Sequence, residues 1–271
     1  MLGHYESRRI FPGTRRPLRC RADNGGVTGI PGVLARMDAL LDAMPADLTT
    51  QQTFLATYRR TTIAVGEQVE QGRFEDPDWV DRWDVAFADL YVSALETRVA
   101  GGEPSRPWRV AFGAPADLPP LRILLLGINA HINYDLPQSL IAVISPEDFD
   151  NAALLARRQR DHERIDAILS GRVSAEDAEL SALSNRSLLD RALRPLNQAG
   201  SRRFLREARQ KVWHNTRELH EARLAGPEAY ATRLAELEVL SAAKIADLLA
   251  PGQVLLKLSV GGFGVTLPPP R

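Results

Sequence analysis

LRILLLGINAHINYDLPQSLIAVI, from Leu121 to Ile144, is the most apolar run of the chain, and its centre is polar. Asn129, His131, Asn133, Asp135 and Gln138 interrupt a segment otherwise made mainly of Leu, Ile, Val, Ala and Gly. The run is too long for a strand and lacks strict alternation, so it predicts a helix. A helix apolar on nearly every side is buried, and the rest of the chain is expected to surround it. Five polar side chains in its middle argue against a membrane span. Residues four apart share a helix face. His131 and Asp135 therefore stack, with Gln138 continuing their line, and Asn129 and Asn133 form a second pair. Pro137 removes a donor and frees a carbonyl, which predicts a kink just past the cluster. Each buried polar group left unpaired costs about 1–3 kcal/mol, so the five groups need each other, water, a ligand or a metal.

Outward from this run the signals stay helical. Pro31 suits a first turn, with Val33, Met37, Leu40 and Leu41 on one face. Phe54, Tyr58, Val65 and Val69 define a second helix. Asp76-Pro77 opens a third, where Trp79, Val80, Trp83, Phe87, Leu90 and Tyr91 form a core face. Gly101–Pro107 reads as a loop, and Trp108–Leu118 is ambiguous. Ser145-Pro146-Glu147-Asp148 is a helix start, so the central helix turns at once into another, running to about Ser170. Short helices are expected over Ser174–Leu183 and Ser187–Leu193, a long one over Ser201–Leu224, and a last one over Pro227–Leu249 with Tyr230, Leu234, Leu237 and Leu240 inward. Val254–Val260 suits a short strand or an extended tail. The class is all-α: one multi-helix bundle over residues 27–250, preceded by an Arg-rich tail over 1–26 and followed by an extended tail over 251–271.

The 271 residues hold 34 basic and 34 acidic side chains, a balance that argues against a broad nucleic-acid footprint. The single cysteine, Cys20, excludes a disulfide framework and suits a reducing compartment. The N-terminus shows no apolar signal core. A cytoplasmic protein without a membrane span is expected. Its oligomeric state stays open.

Three of the five histidines have an acid four residues on: His131–Asp135, His162–Asp166 and His214–Glu218. The composition predicts about 0.6 such pairs. A histidine and a carboxylate on one helix face is how helices present metal ligands. From the turn near Ser145, His131 and His162 lie ~21 and ~26 Å along their helices, similar heights in an antiparallel hairpin. His131, Asp135, His162 and Asp166 are the candidate ligands for Zn²⁺, Mn²⁺ or Fe²⁺. His214, Glu218, Asn129, Asn133 and Gln138 are candidate additions, and Asp135 or Asp166 would bridge metals or act as base. Arg157, Arg158 or Arg160 would hold an anion. The competing reading is a satisfied buried pair at His131–Asp135 and solvated surface pairs elsewhere.

GINAHINYDLP, the helix after it and the ARQKVWH segment resemble a family of uncharacterised bacterial helical proteins, a domain of unknown function, over about Val27–Leu249. The AHINYDLP stretch carries most of that likeness. More remotely, the paired His-x-x-x-acid motifs are similar to the zinc-dependent phospholipase C and single-strand nuclease fold, whose histidines and aspartates hold a zinc cluster. That likeness places His131–Asp135 and His162–Asp166 at the metal. The chain departs from it at Ile141, where that fold has histidine, and has no histidine between His4 and His131. The expected function is a metal-dependent hydrolase of a small-molecule or phosphoester substrate, without a nucleotide cofactor. The alternative is a non-enzymatic helical protein whose buried polar centre is structural or binds a small molecule.

Overall fold

The computed structural model describes residues 28–165, 168, 188–252, 257–258 and 261–270, with the backbone alone for Pro120, Leu121 and 188–206. The expected tail over 1–26, the short helix over Ser174–Leu183 and the candidate ligand Asp166 lie outside the described residues. Within them every regular element is a helix.

Helix α1 spans Gly29–Ala43, α2 Thr49–Glu70 and α3 Pro77–Val99. Their apolar faces supply Val33, Met37, Phe54, Tyr58, Trp79, Trp83 and Tyr91 to the core. Asp76 caps α3 by accepting from the Trp79 amide at 3.0 Å, and Pro77 takes the first turn, where its missing N–H is not needed. α4, Arg106–Phe112, starts inside the expected Gly101–Pro107 loop and takes only the first part of the ambiguous Trp108–Leu118 stretch, with Trp108 inward. The central run is a rod in three parts: α5, Pro120–Ala130; a π-helical turn, His131–Asp135; and α6, Leu136–Val143. α2, α3 and α4 surround it together with two later helices, Leu188–Ala225 and Pro227–Leu249. Leu126 and Leu140 are fully buried, each such burial stabilising by about 1.5–3 kcal/mol.

The hairpin after the rod is more divided than its sequence predicts. Ser145 caps the short α7, Pro146–Asp150, by accepting from the Asp148 amide. Asn151 then caps a separate α8 over 152–165 by accepting from Leu154 N at 3.0 Å. α9 runs from Leu188 to Ala225, through Pro195, so it begins well before Ser201. The stretch is rich in the good helix formers Leu, Arg, Ala and Gln, and Pro195 within it removes one ladder bond and crowds the preceding turn. α10, Pro227–Leu249, folds back on α9, and Arg122 from α5 donates to the carbonyls of Leu248, Leu249 and Ala250 at its end.

RRQRDHERID reads as charged on most faces, yet Arg158, Asp161 and His162 are buried. Asp161 accepts from the amides of Glu75 and Asp76 at 2.7 and 2.9 Å, and so fixes the loop that starts α3. Arg157 and Arg158 pair with Asp76, and Arg160 with Glu75. The arginines considered as anion holders tie α8 to α3. The C-terminal segment departs from the expected extended tail at residues 257, 258 and 261, which are helical, while 264–270 carry no regular secondary structure; Phe263 and Leu267 are buried against the bundle.

Candidate functional site

The polar centre of the rod is buried as the sequence requires: Asn129, His131, Asn133 and Asp135 are each at most 3% exposed. The irregularity lies inside the cluster as a π-turn, where the Leu136 amide donates to the His131 carbonyl. Pro137 cannot donate, so the ladder ahead of it is free to widen by one residue. Gln138 is not part of the cluster. Its Nε2 donates to the Tyr134 carbonyl at 2.8 Å and satisfies a backbone group beside the turn.

His131 and Asp135 meet as predicted, with Nδ1 at 2.9 Å from Oδ2. That oxygen also accepts from Trp108 Nε1 at 2.8 Å, which the sequence did not indicate. Trp108 can only donate, so the shared carboxylate oxygen assigns a proton to His131 Nδ1. Burial holds the His131 pKa below its ordinary value, against the pull of Asp135. Burial likewise raises that of Asp135, against the hydrogen bonds from His131 and Trp108. His131 Nε2 is buried and has no hydrogen-bonding partner among the described residues.

Aromatic rings close the space around this imidazole. Phe87 stacks on it with centroids 3.6 Å apart and planes 7° from parallel. Tyr58 presents its edge at 4.8 Å, and Tyr91 and Trp108 stand at 5.9 and 6.0 Å. Phe87 is itself the end of a ladder along α3. The Arg158 guanidinium lies over Trp79 at 4.6 Å, Trp79 stacks on Trp83, and Trp83 on Phe87. The three rings recur every four residues, so one helix face carries the ladder.

His162 meets a different rung: its ring packs against Trp83 at 5.0 Å and Trp213 at 5.7 Å. Burial, then the Arg209 charge, lowers its pKa to about 3, so it too is neutral near pH 7. Its Nδ1 is buried without a hydrogen-bonding partner among the described residues. Among the described residues no three His, Cys, Asp or Glu side chains are placed to hold one metal ion. Asp84, not singled out by the sequence reading, is a buried acid near Tyr58. Burial, then Asp81, raises its pKa to about 7, and its Oδ2 has no hydrogen-bonding partner among the described residues.

The remaining candidates serve the C-terminal segment. Asn133 Nδ2 donates to Asn129 Oδ1 at 2.9 Å and to the Phe263 carbonyl at 3.2 Å, and Asn133 Oδ1 accepts from the Val265 amide at 3.1 Å. Asn215 repeats this two residues on, donating to the Val265 carbonyl at 3.0 Å and accepting from the Leu267 amide at 2.8 Å. His214 donates through Nε2 to the Leu267 carbonyl at 3.1 Å. Glu218 binds Arg233, which also donates to the Pro268 carbonyl at 2.7 Å. Lys211 donates to the Gly264 carbonyl at 3.0 Å. The sequence reading missed Lys211, Asn215 and Arg233. A signal existed: Lys211, His214, Asn215 and Glu218 recur at three and four on α9, and Phe263, Val265 and Leu267 alternate as in a strand.

No curated protein and no solved structure matches the chain. Among the described residues no helix is long and apolar enough to cross a membrane. The sequence matches the family of unknown function DUF5995 over residues 30–251, which takes in the polar rod, the aromatic ladder and α9 and α10. The chain belongs to that family of unknown function, DUF5995.

Proposed function

We propose that the protein is a non-enzymatic helical binding protein whose buried polar centre is structural and holds an extended polypeptide segment. The observation that carries this reading is the use made of the polar rod. Asn133 is spent on the main chain at Phe263 and Val265, while His131 beside it is walled by Phe87, Tyr58, Tyr91 and Trp108 and bonded to Asp135. A hydrolytic metal needs several donors and an open position for water. The walls of the His131 ring are aromatic, Phe87 stacked at 3.6 Å and Tyr58 at 4.8 Å, and among the described residues no three His, Cys, Asp or Glu side chains are grouped to hold one ion. Protein purified without chelator should therefore carry well under one equivalent of Zn, Mn or Fe by elemental analysis. A chelator should leave its melting temperature unchanged. One or two equivalents of metal, lost in Asp135→Ala, would overturn this reading.

That outcome would install a second reading, a metal-dependent hydrolase of phosphoesters similar to the zinc-dependent phospholipase C and single-strand nuclease fold. Its support is that His131 and His162 are both buried and neutral near pH 7, each with an unpartnered ring nitrogen. Neutral imidazole nitrogens are metal ligands. Asp135 and Asp166 would complete the set.

A further inference from the structure

Between Phe263 and Pro268 the C-terminal strap makes seven hydrogen bonds with Asn133, Lys211, His214, Asn215 and Arg233. All seven go to main-chain atoms. The carbonyls of residues 263, 264, 265, 267 and 268 each accept one, and the amides of 265 and 267 each donate one. The two asparagines stand two strap residues apart, the repeat of an extended chain, and each uses its amide as a neighbouring strand would use a peptide group. Two side chains complete the fit: Phe263 is buried in the core with Leu126 and Ile245, and Leu267 with Leu219 and Leu237. Thr266 between them is exposed. At the entrance Gly262 has a φ of +67° and lies against Glu207, where a Cβ would collide. A Cβ on Gly264 would meet the Lys211 stem at 2.7 Å.

This is a groove that reads an extended main chain and asks for an aromatic and a leucine four residues apart, with small residues flanking the aromatic. The recognition resembles strand addition, in which main-chain bonds supply affinity and alternate pockets supply selectivity, but here helices provide the partner edge. The family match ends at residue 251. It therefore contains all five groove side chains and none of the strap.

We propose, resting on the binding-protein reading above, that the groove is a peptide-binding site of the domain, filled here in cis by residues 261–268. Its ligand in trans is an extended segment of another protein with the pattern small–aromatic–small–x–x–leucine. The strap is then a competitor tethered to the same chain, and it sets the threshold that an incoming segment must exceed.

The test uses a labelled peptide of sequence GGFGVTLPPPR, read by fluorescence anisotropy against the full chain. Wild type should bind it weakly, because the tethered strap competes. A full chain carrying Phe263→Ala and Leu267→Ala should bind at least ten-fold more tightly. Asn133→Ala and Asn215→Ala added to that chain should abolish the gain, and so should N-methylation of the peptide at its valine and leucine amides. A strap variant that unfolds cooperatively but binds no better than wild type overturns the proposal. Hydrogen exchange on wild type decides the case even if that variant does not fold. Exchange of the Val265 and Leu267 amides through local release, faster than the core of α3, supports an exchangeable strap. Exchange only with global unfolding overturns it. A concentration-dependent dimer of wild type, lost on Asn215→Ala, overturns the partner reading in favour of strap exchange between two copies. Metal content and chelator response test the underlying reading separately. A metal-free protein that fails to bind peptide loses only this inference, whereas stoichiometric metal overturns the reading beneath it.

Discussion

Asp84 is a carboxyl in the interior with one oxygen that nothing among the described residues hydrogen-bonds. Its pKa, raised to about 7 from 3.8, means that the folded chain keeps a proton that the unfolded chain has released. Between those values stability falls as pH rises, by up to about 1.4 kcal/mol per unit. His162 has the opposite sign. Lowered to about 3 from 6.5, it stays neutral when folded while the unfolded chain takes up a proton, so stability falls as pH drops through that window. The two slopes oppose each other from about pH 4 to about pH 6.5. Asp84→Asn removes one of them. That variant should be more stable than wild type at about pH 8 and should lose about 1–2 kcal/mol more than wild type between about pH 6.5 and pH 5, in urea unfolding. An unchanged pH slope would mean that Asp84 is not the buried proton carrier described. The same reasoning orders two further variants. Asp135→Ala strands both His131 Nδ1–H and Trp108 Nε1–H and should cost about 2–4 kcal/mol. Trp108→Phe leaves the His131 bond in place and should cost less. The reverse order would show that the carboxylate is not the shared acceptor.

At the scale of an element, the rod is where local preference and packing part company. Its apolar run makes a helix legible, but the π-turn depends on Pro137 and on the contacts that reward the wider turn. Those contacts are Asn133 with the strap and His131 with Phe87. Gly127 shows the same override one turn earlier. In an exposed helix interior, Gly→Ala stabilises by about 1 kcal/mol. Here a Cβ on Gly127 would stand inside the contact distance of the Phe54 ring, which packs edge-on to Tyr91 and Trp108. Gly127→Ala should therefore destabilise, by about 1–3 kcal/mol in denaturant unfolding. A gain in stability would show that Phe54 can move away and that the helix–ring contact is loose.

For the whole molecule, the strap closes the bundle by joining the rod to α9 and α10 through Asn133, Asn215 and Arg233. Removing residues 261–271 takes away the burial of Phe263 and Leu267, about 1.5–3 kcal/mol each, and leaves the groove amides to water. The helices keep separate cores around Trp79, Trp83 and Leu140 that do not include the strap. The truncated chain should stay helical and lose about 3–6 kcal/mol, which corresponds to a fall in Tm of roughly 6–20 °C for a chain of this size. Melting with wild type would show that the strap adds no stability.

By itself the sequence determined the helical class, the burial of the Leu121–Ile144 run and the His131–Asp135 contact. Periodicity and four-residue spacing are local, and a helix displays them whatever surrounds it. The capping serine at Ser145 and the prolines at helix starts were legible for the same reason. Only the tertiary structure decided what the polar centre faces. Trp108, Phe87 and Tyr58 reach His131 from three other helices, and no spacing within the run could announce them. It also took His162 from a charged-looking helix into the interior, because the arginines around it pair with Glu75 and Asp76. The role of Asn133, Asn215 and His214 lay furthest from the sequence: their partners are main-chain groups of the strap, which every residue carries and no residue type advertises.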